Sequence, residues 1–145
     1  MNGSFPAAPA RPIDVLIVDD NPIVRTAIRA FLGGAGDLRV VGEAPDGRTA
    51  LATARRLRPA VTLLDHRMPG GPDVVEPLAD HTAVLVLTSD TGPDVVAGML
   101  RGGARGYLVH GEYDQPELVR AVRAVAAGSA SLSPAAAAVA VSVLR

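Results

Sequence analysis

Asp65 stands where an apolar run, Val61-Thr62-Leu63-Leu64, gives way to His66-Arg67-Met68-Pro69-Gly70. Asp19 and Asp20 end a second such run, Thr88-Ser89 a third, and His110 a fourth. A carboxylate placed this way can be the nucleophile that accepts a phosphoryl group. Three carboxylates brought together repel one another unless a cation intervenes. A hard divalent ion such as Mg2+ meets that need, taking one or two carboxylates, a backbone carbonyl and waters, and completing its shell with phosphate oxygens. Thr88 offers a hydroxyl to a phosphoryl oxygen, and the small Ser89 leaves the approach open. Each residue also has a plainer reading. Asp19-Asp20 could cap a helix, Asp65 could be a turn acid before Pro-Gly, and Thr88 could be an N-cap. The chemical reading is favoured because all of them fall at strand ends in one alternating pattern.

That pattern is built from five apolar segments: residues 13–18, 38–41, 61–64, 82–87 and 106–109. Runs of this kind are buried on both faces of a parallel sheet. Between them lie helical stretches. The first opens at Asn21-Pro22, with Pro near the first-turn position it tolerates. In it Ile23, Val24, Ala27, Ile28, Phe31 and Leu32 recur at helical spacing, while Arg25 and Arg29 face out. Asp46 caps a second helix, running to residue 57. A third begins near Gly70-Gly71 and is shortened by Pro77. A fourth covers 93–101. Asp114 caps a fifth, with Leu118, Val119, Val122 and Val125 inward. Strands alternating with helices predict an α/β domain with a doubly wound, five-stranded parallel sheet and helices on both faces. In such sheets the ligand crevice lies at the carboxyl ends of the strands, at a topological switch point. Residues 1–11 read as a flexible tail, 12–128 as the domain, and 129–145 as a linker and the start of an Ala-rich helix.

Composition narrows the function classes. The chain has 145 residues, enough for one domain, and its 48% hydrophobic content with only 3% aromatic makes the core aliphatic. The formal net charge is −1, without the basic excess of a nucleic-acid surface. All 14 basic residues are arginine. The absence of cysteine excludes disulfides, thiol catalysis and zinc-thiolate sites. No apolar run approaches the roughly 18 residues of a membrane span, and the N-terminus lacks the features of a signal peptide. A cytoplasmic domain is the expectation.

The motifs Ile17-Val-Asp19-Asp20, Leu63-Leu-Asp65-His-Arg-Met-Pro69-Gly70, Leu85-Val-Leu-Thr88 and Gly103-Ala-Arg-Gly-Tyr107-Leu together resemble the receiver domain of bacterial two-component response regulators. The resemblance covers residues 13 to about 128 and implies a CheY-like, flavodoxin-like fold. Gly103-Ala-Arg-Gly-Tyr-Leu, the segment starting at Glu117 and Leu132-Ser-Pro134 are similar to the NarL/FixJ type, whose members carry a LuxR-type helix-turn-helix after the linker. No such domain fits after Pro134, so the chain reads as a stand-alone receiver or as a piece of a longer regulator. The resemblance implies that Asp65 accepts phosphate from a sensor histidine kinase. It implies that Asp19, Asp20, Asp65 and the Arg67 backbone carbonyl hold Mg2+. Thr88 would move toward the phosphoryl group, and Tyr107 would swing inward behind it. It implies no enzyme beyond self-phosphorylation and autodephosphorylation, DNA contact only through the absent domain, no membrane, and a homodimer.

Two departures stand out. The family's phosphoryl-binding lysine falls at His110, and histidine is shorter and only conditionally charged. His110 stands in partially for lysine, or the domain acts independently of phosphate by constitutive dimerisation or ligand binding, or the residue is a neutral surface histidine with no role. The third helix region is also short, with Val74 near a usual glycine. An Asp-nucleophile phosphohydrolase would carry a second acid soon after Asp65, where His66 and Arg67 stand instead. A purely structural dimerisation module would self-associate regardless of phosphodonor. For a dimer face, the first helix offers Ile28, and the fifth offers alternating Arg and Val.

Overall fold

The computed structural model describes residues 11–143, so the tail expected over residues 1–11 lies almost wholly outside the described residues. The elements alternate as β1 (Ile13–Val18), α1 (Pro22–Gly33), β2 (Leu38–Ala44), α2 (Gly47–Leu57), β3 (Val61–Leu64), α3 (Gly71–Ala79), β4 (Ala83–Thr88), α4 (Pro93–Arg101), β5 (Gly106–Val109), α5 (Gln115–Ala126), β6 (Ser131–Leu132) and α6 (Pro134–Val143). All strands pair in parallel, in the order β2-β1-β3-β4-β5-β6. The doubly wound α/β sheet is therefore as expected, with six strands among the described residues instead of five. The extra strand is two residues long and lies in the segment read as a linker.

The helices divide the core in two. On one face, Val15, Ile17, Leu63, Leu85 and Leu87 pack against Ile28 and Leu32 of α1 and Leu118, Val122 and Val125 of α5. On the other, Leu16, Val18, Leu64, Val84 and Val86 meet α2, α3, α4 and α6. Successive strand residues alternate between these two clusters, as a pleated strand buried on both faces requires.

Local signals place the helix starts. Asn21 accepts from Ile23 N at 2.9 Å, Asp46 from Thr49 N at 2.7 Å and Asp114 from Glu117 N at 2.8 Å. Each satisfies a first-turn N–H with no partner inside the helix. Pro77 does not end α3 but sits in its last turn.

One face assignment is corrected. Ile28 is 6% exposed and belongs to the core, so it offers nothing to a partner, whereas Ile23 on the same helix is 77% exposed. The two cannot both face the sheet once Ile28 and Leu32 set the inner stripe. Arg25 and Arg29 do point away from the core, and both pair with Glu43 of β2, at 3.0 and 2.7 Å.

The last elements are tied to β5. Ser131 and Leu132 pair with Gly106 and Tyr107, and Ser133 N donates to Tyr107 O at 2.8 Å. Ser133 Oγ accepts from Ala136 N at 3.2 Å and so caps α6, whose Ala136 and Val139 join the cluster containing Val96 and Met99 of α4.

Candidate functional site

β1 lies between β2 and β3, so the chain winds away from it in both directions and leaves a crevice at the carboxyl ends of β1 and β3. The backbone there is held by continued strand pairing. Asp19 N donates to Ala44 O at 3.1 Å, and Asp65 N to Val18 O at 3.0 Å. This registry brings Asp19, Asp20 and Asp65 together: one ligand atom from each lies within 4.8 Å of the others. Asp19 is buried, Asp65 half-buried and Asp20 exposed, so the cluster opens to water on one side.

Burial, reinforced by the charges of Asp65 and Asp20, pushes the Asp19 carboxyl up to about 6, even though the Asn21 N–H it accepts at 2.8 Å works the other way. A site of hard oxygen donors under mutual repulsion suits a small divalent cation. Arg25 braces the crevice from α1: its Nη1 donates to Asp19 O at 2.6 Å while its Nε holds Glu43.

The β3–α3 loop shapes the other wall. Asp65 Oδ1 accepts from Arg67 N at 3.0 Å. The Arg67 side chain then crosses to the end of β4, where Nη1 donates to Ser89 Oγ at 2.7 Å. Ser89 therefore does not stand clear of the approach; it carries a guanidinium. His66 is 5% exposed, with Nδ1 unpartnered, and burial lowers its pKa against the charges of Asp65 and Asp90. It lines a cavity toward α4 with Val95 and Met99.

Thr88 is fully buried, and its Oγ1 accepts from Asp90 N at 3.0 Å. Asp90 Oδ1 in turn accepts from Gly92 N at 2.9 Å, so two short turns fix the β4–α4 loop. Tyr107 is already inward. It is fully buried, its hydroxyl donates to Asp90 O at 2.8 Å, and burial pushes that hydroxyl up to about 12. Tyr107→Phe should remove this one bond at a cost of about 1 kcal/mol in urea unfolding; an unchanged midpoint would mean that water replaces it freely.

His110 sits at the end of β5, its N donating to Thr88 O at 2.8 Å. Its ring turns to Tyr113, with Nδ1 3.4 Å from the hydroxyl and the ring centroids 6.2 Å apart. Among the described residues it makes no hydrogen bond to Asp19, Asp20 or Asp65. Sequence reasoning brought Arg67 to the site only through its carbonyl, and missed Arg25, Asp90 and Tyr113. Asp90 had a readable signal, an Asp two residues after Thr88 and two before Gly92, the spacing of side-chain-capped turns.

Residues 15–123 match the response regulator receiver domain family. The response regulator GacA of Pseudomonas protegens is 40% identical over 130 residues, covering 84% of this chain and 59% of that protein. The nitrate/nitrite response regulator protein NarL of Escherichia coli is 35% identical over 130 residues, covering 86% and 59%. The chain thus spans about three-fifths of the length of these curated relatives. Among solved structures, the signal receiver domain of the putative response regulator NarL from Mycobacterium tuberculosis superposes with a TM-score of 0.77 at 35% identity, covering 82% of this chain and 99% of that one. A LuxR-family two-component response regulator from Aurantimonas sp. gives 0.82 at 28% identity, covering 92% and 99%. With the β1/β3 crevice, its acid cluster and this span of matched residues, the chain belongs to the response regulator receiver domain family, in its NarL/FixJ branch.

Proposed function

We propose that this chain is a phosphoacceptor: Asp65 takes a phosphoryl group from a sensor histidine kinase, with Mg2+ held by Asp19, Asp20, Asp65 and the Arg67 carbonyl. The observation that carries this is the convergence of three carboxylates from two adjacent strands within 4.8 Å. An Asp65 oxygen attacks phosphorus, the phosphorus–nitrogen bond of the donor breaks, and its electron pair stays on the donor imidazole. The ion, when bound, neutralises charge on the transferring oxygens. Thr88 and Ser89 lie at the neighbouring strand end, where a phosphoryl oxygen needs donors. The receiver spans residues 12–128, and the segment after it, expected as a linker, returns to the sheet and to α4 through β6 and α6. Output on transcription would run through a helix-turn-helix domain in a longer, homodimeric cytoplasmic regulator. The receiver itself catalyses no more than its own phosphorylation and dephosphorylation.

The test needs no cognate kinase. Incubated with Mg2+ and acetyl phosphate, the protein should gain one phosphoryl group by intact mass, and Asp65→Asn should gain none. Wild type that stays unmodified, or a variant that is still modified, would sink the reading. A second reading has its own support: Tyr107 is buried in the inward position, and the His110 ring is turned to Tyr113. It holds that the switch is already set and that the domain works independently of phosphate, and unmodified wild type would favour it.

A further inference from the structure

We propose that the Arg67 guanidinium is the cation that binds the phosphoryl group on Asp65, in place of any group from the end of β5. The proposal rests on Asp65 being the phosphoacceptor. With Asp65 converted to an acyl phosphate, the Asp19 and Asp20 carboxylates and the dianionic phosphoryl group still leave a surplus of negative charge beside a divalent ion, so a further cation at the crevice is favoured.

The candidates can be sorted by what holds them. Arg25 donates to Asp19 O and is paired with Glu43. The His110 ring is drawn to Tyr113. Arg67 differs from both. Its backbone N–H is bonded to Asp65 itself, and its guanidinium reaches Ser89, the residue after Thr88. The side chain therefore runs from the end of the phosphoacceptor's strand, β3, to the end of its neighbour β4, one residue from Thr88. Among the described residues it forms no ion pair, while Arg25, Arg29, Arg39 and Arg123 all do. Its one side-chain bond is to a neutral hydroxyl, which leaves most of its five donors free. A planar guanidinium matches two phosphoryl oxygens at once, which a single ammonium or imidazole nitrogen does not. Ser89 holds the planar group in place and can turn its own hydroxyl to a third oxygen.

The test uses Mg2+ with acetyl phosphate for uptake and Mg2+ with beryllofluoride for equilibrium binding, on wild type, Arg67→Gln and Arg67→Lys. Arg101→Gln, at the far end of α4, controls for loss of one positive charge. Arg67→Gln should slow uptake and weaken beryllofluoride binding by about tenfold or more, the effect of one lost charge-assisted contact. Mg2+ affinity should hold, because the backbone carbonyl remains, and Arg67→Lys should recover part of the loss. Arg67→Gln matching wild type in both assays would overturn the proposal, as would an equal loss in Arg101→Gln or a parallel collapse of Mg2+ binding. These results leave Asp65 modification in wild type intact. Wild type that neither labels nor binds beryllofluoride would take down both this assignment and the phosphoacceptor reading.

Discussion

Asp19→Asn should make the metal-free protein more stable at pH 7, although it removes a residue from the centre of the site. The carboxyl is buried beside Asp65 and Asp20, and its pKa rises from 3.8 to about 6. Between these values the folded state holds a proton that the unfolded chain has released. Stability therefore falls as pH rises through this window, and the penalty is fully present above pH 6. Two pKa units correspond to nearly 3 kcal/mol, and water at the open side of the crevice screens part of that, so the gain should be roughly 1–3 kcal/mol. The Asn carbonyl can still accept from Asn21 N, so the local turn survives. Urea unfolding at pH 4 and pH 7 measures this. Wild type should lose stability between the two pH values relative to the variant, and millimolar Mg2+ should restore it in wild type only. A variant less stable than wild type at pH 7 without metal would show that burial and the neighbouring acids do not penalise the Asp19 carboxylate.

Gly71→Ala should produce the largest loss of stability of any single methyl added near the site. A Cβ at Gly71 would fall inside contact distance of His66 O, 2.6 Å from the His66 carbonyl carbon and 2.8 Å from its Cα. These are backbone atoms of the loop that carries Arg67, so no side-chain rotation relieves the clash. The same loop is pinned at its far end, where Gly47 N donates to Pro69 O at 3.2 Å. Overpacking of this kind costs about 2–4 kcal/mol. Because the loop must move, phosphoryl uptake at Asp65 should fall with stability. Gly36→Ala is the matched control: nothing lies within 4 Å of its added Cβ, and its effect should stay within about 0.5 kcal/mol. Equal unfolding midpoints for the two variants would refute the close approach.

Much of this fold was legible because the strands are continuous apolar runs cut by Asp, Gly or Pro. β1, β3 and β5 fall on residues 13–18, 61–64 and 106–109 as the pattern predicts. β2 runs three residues further than expected, through Gly42-Glu43-Ala44, because pairing with β1 continues past a register shift that no periodicity reveals. β6 was invisible for a related reason. Two residues, Ser131 and Leu132, carry no pattern, and they form a strand only because β5 has a free edge. At the site, strand-end logic brings the three acids to one crevice because each is placed by its own strand. It could not reveal the reach of Arg67, since that contact exists only once β3 and β4 are neighbours. Nor could it orient the His110 ring, which follows a tyrosine three residues away.

Tyr107 closes a circuit. Its hydroxyl holds the loop that launches α4, its carbonyl holds Ser133 at the launch of α6, and α6 rests on α4. Three struts joined this way form a triangulated frame, in which no side can lengthen alone. A displacement of the β4–α4 loop must either break a bond at Tyr107 or carry α6 with it. A spectroscopic label on α6, distant in sequence from every carboxylate of the crevice, would then serve as a strain gauge for it.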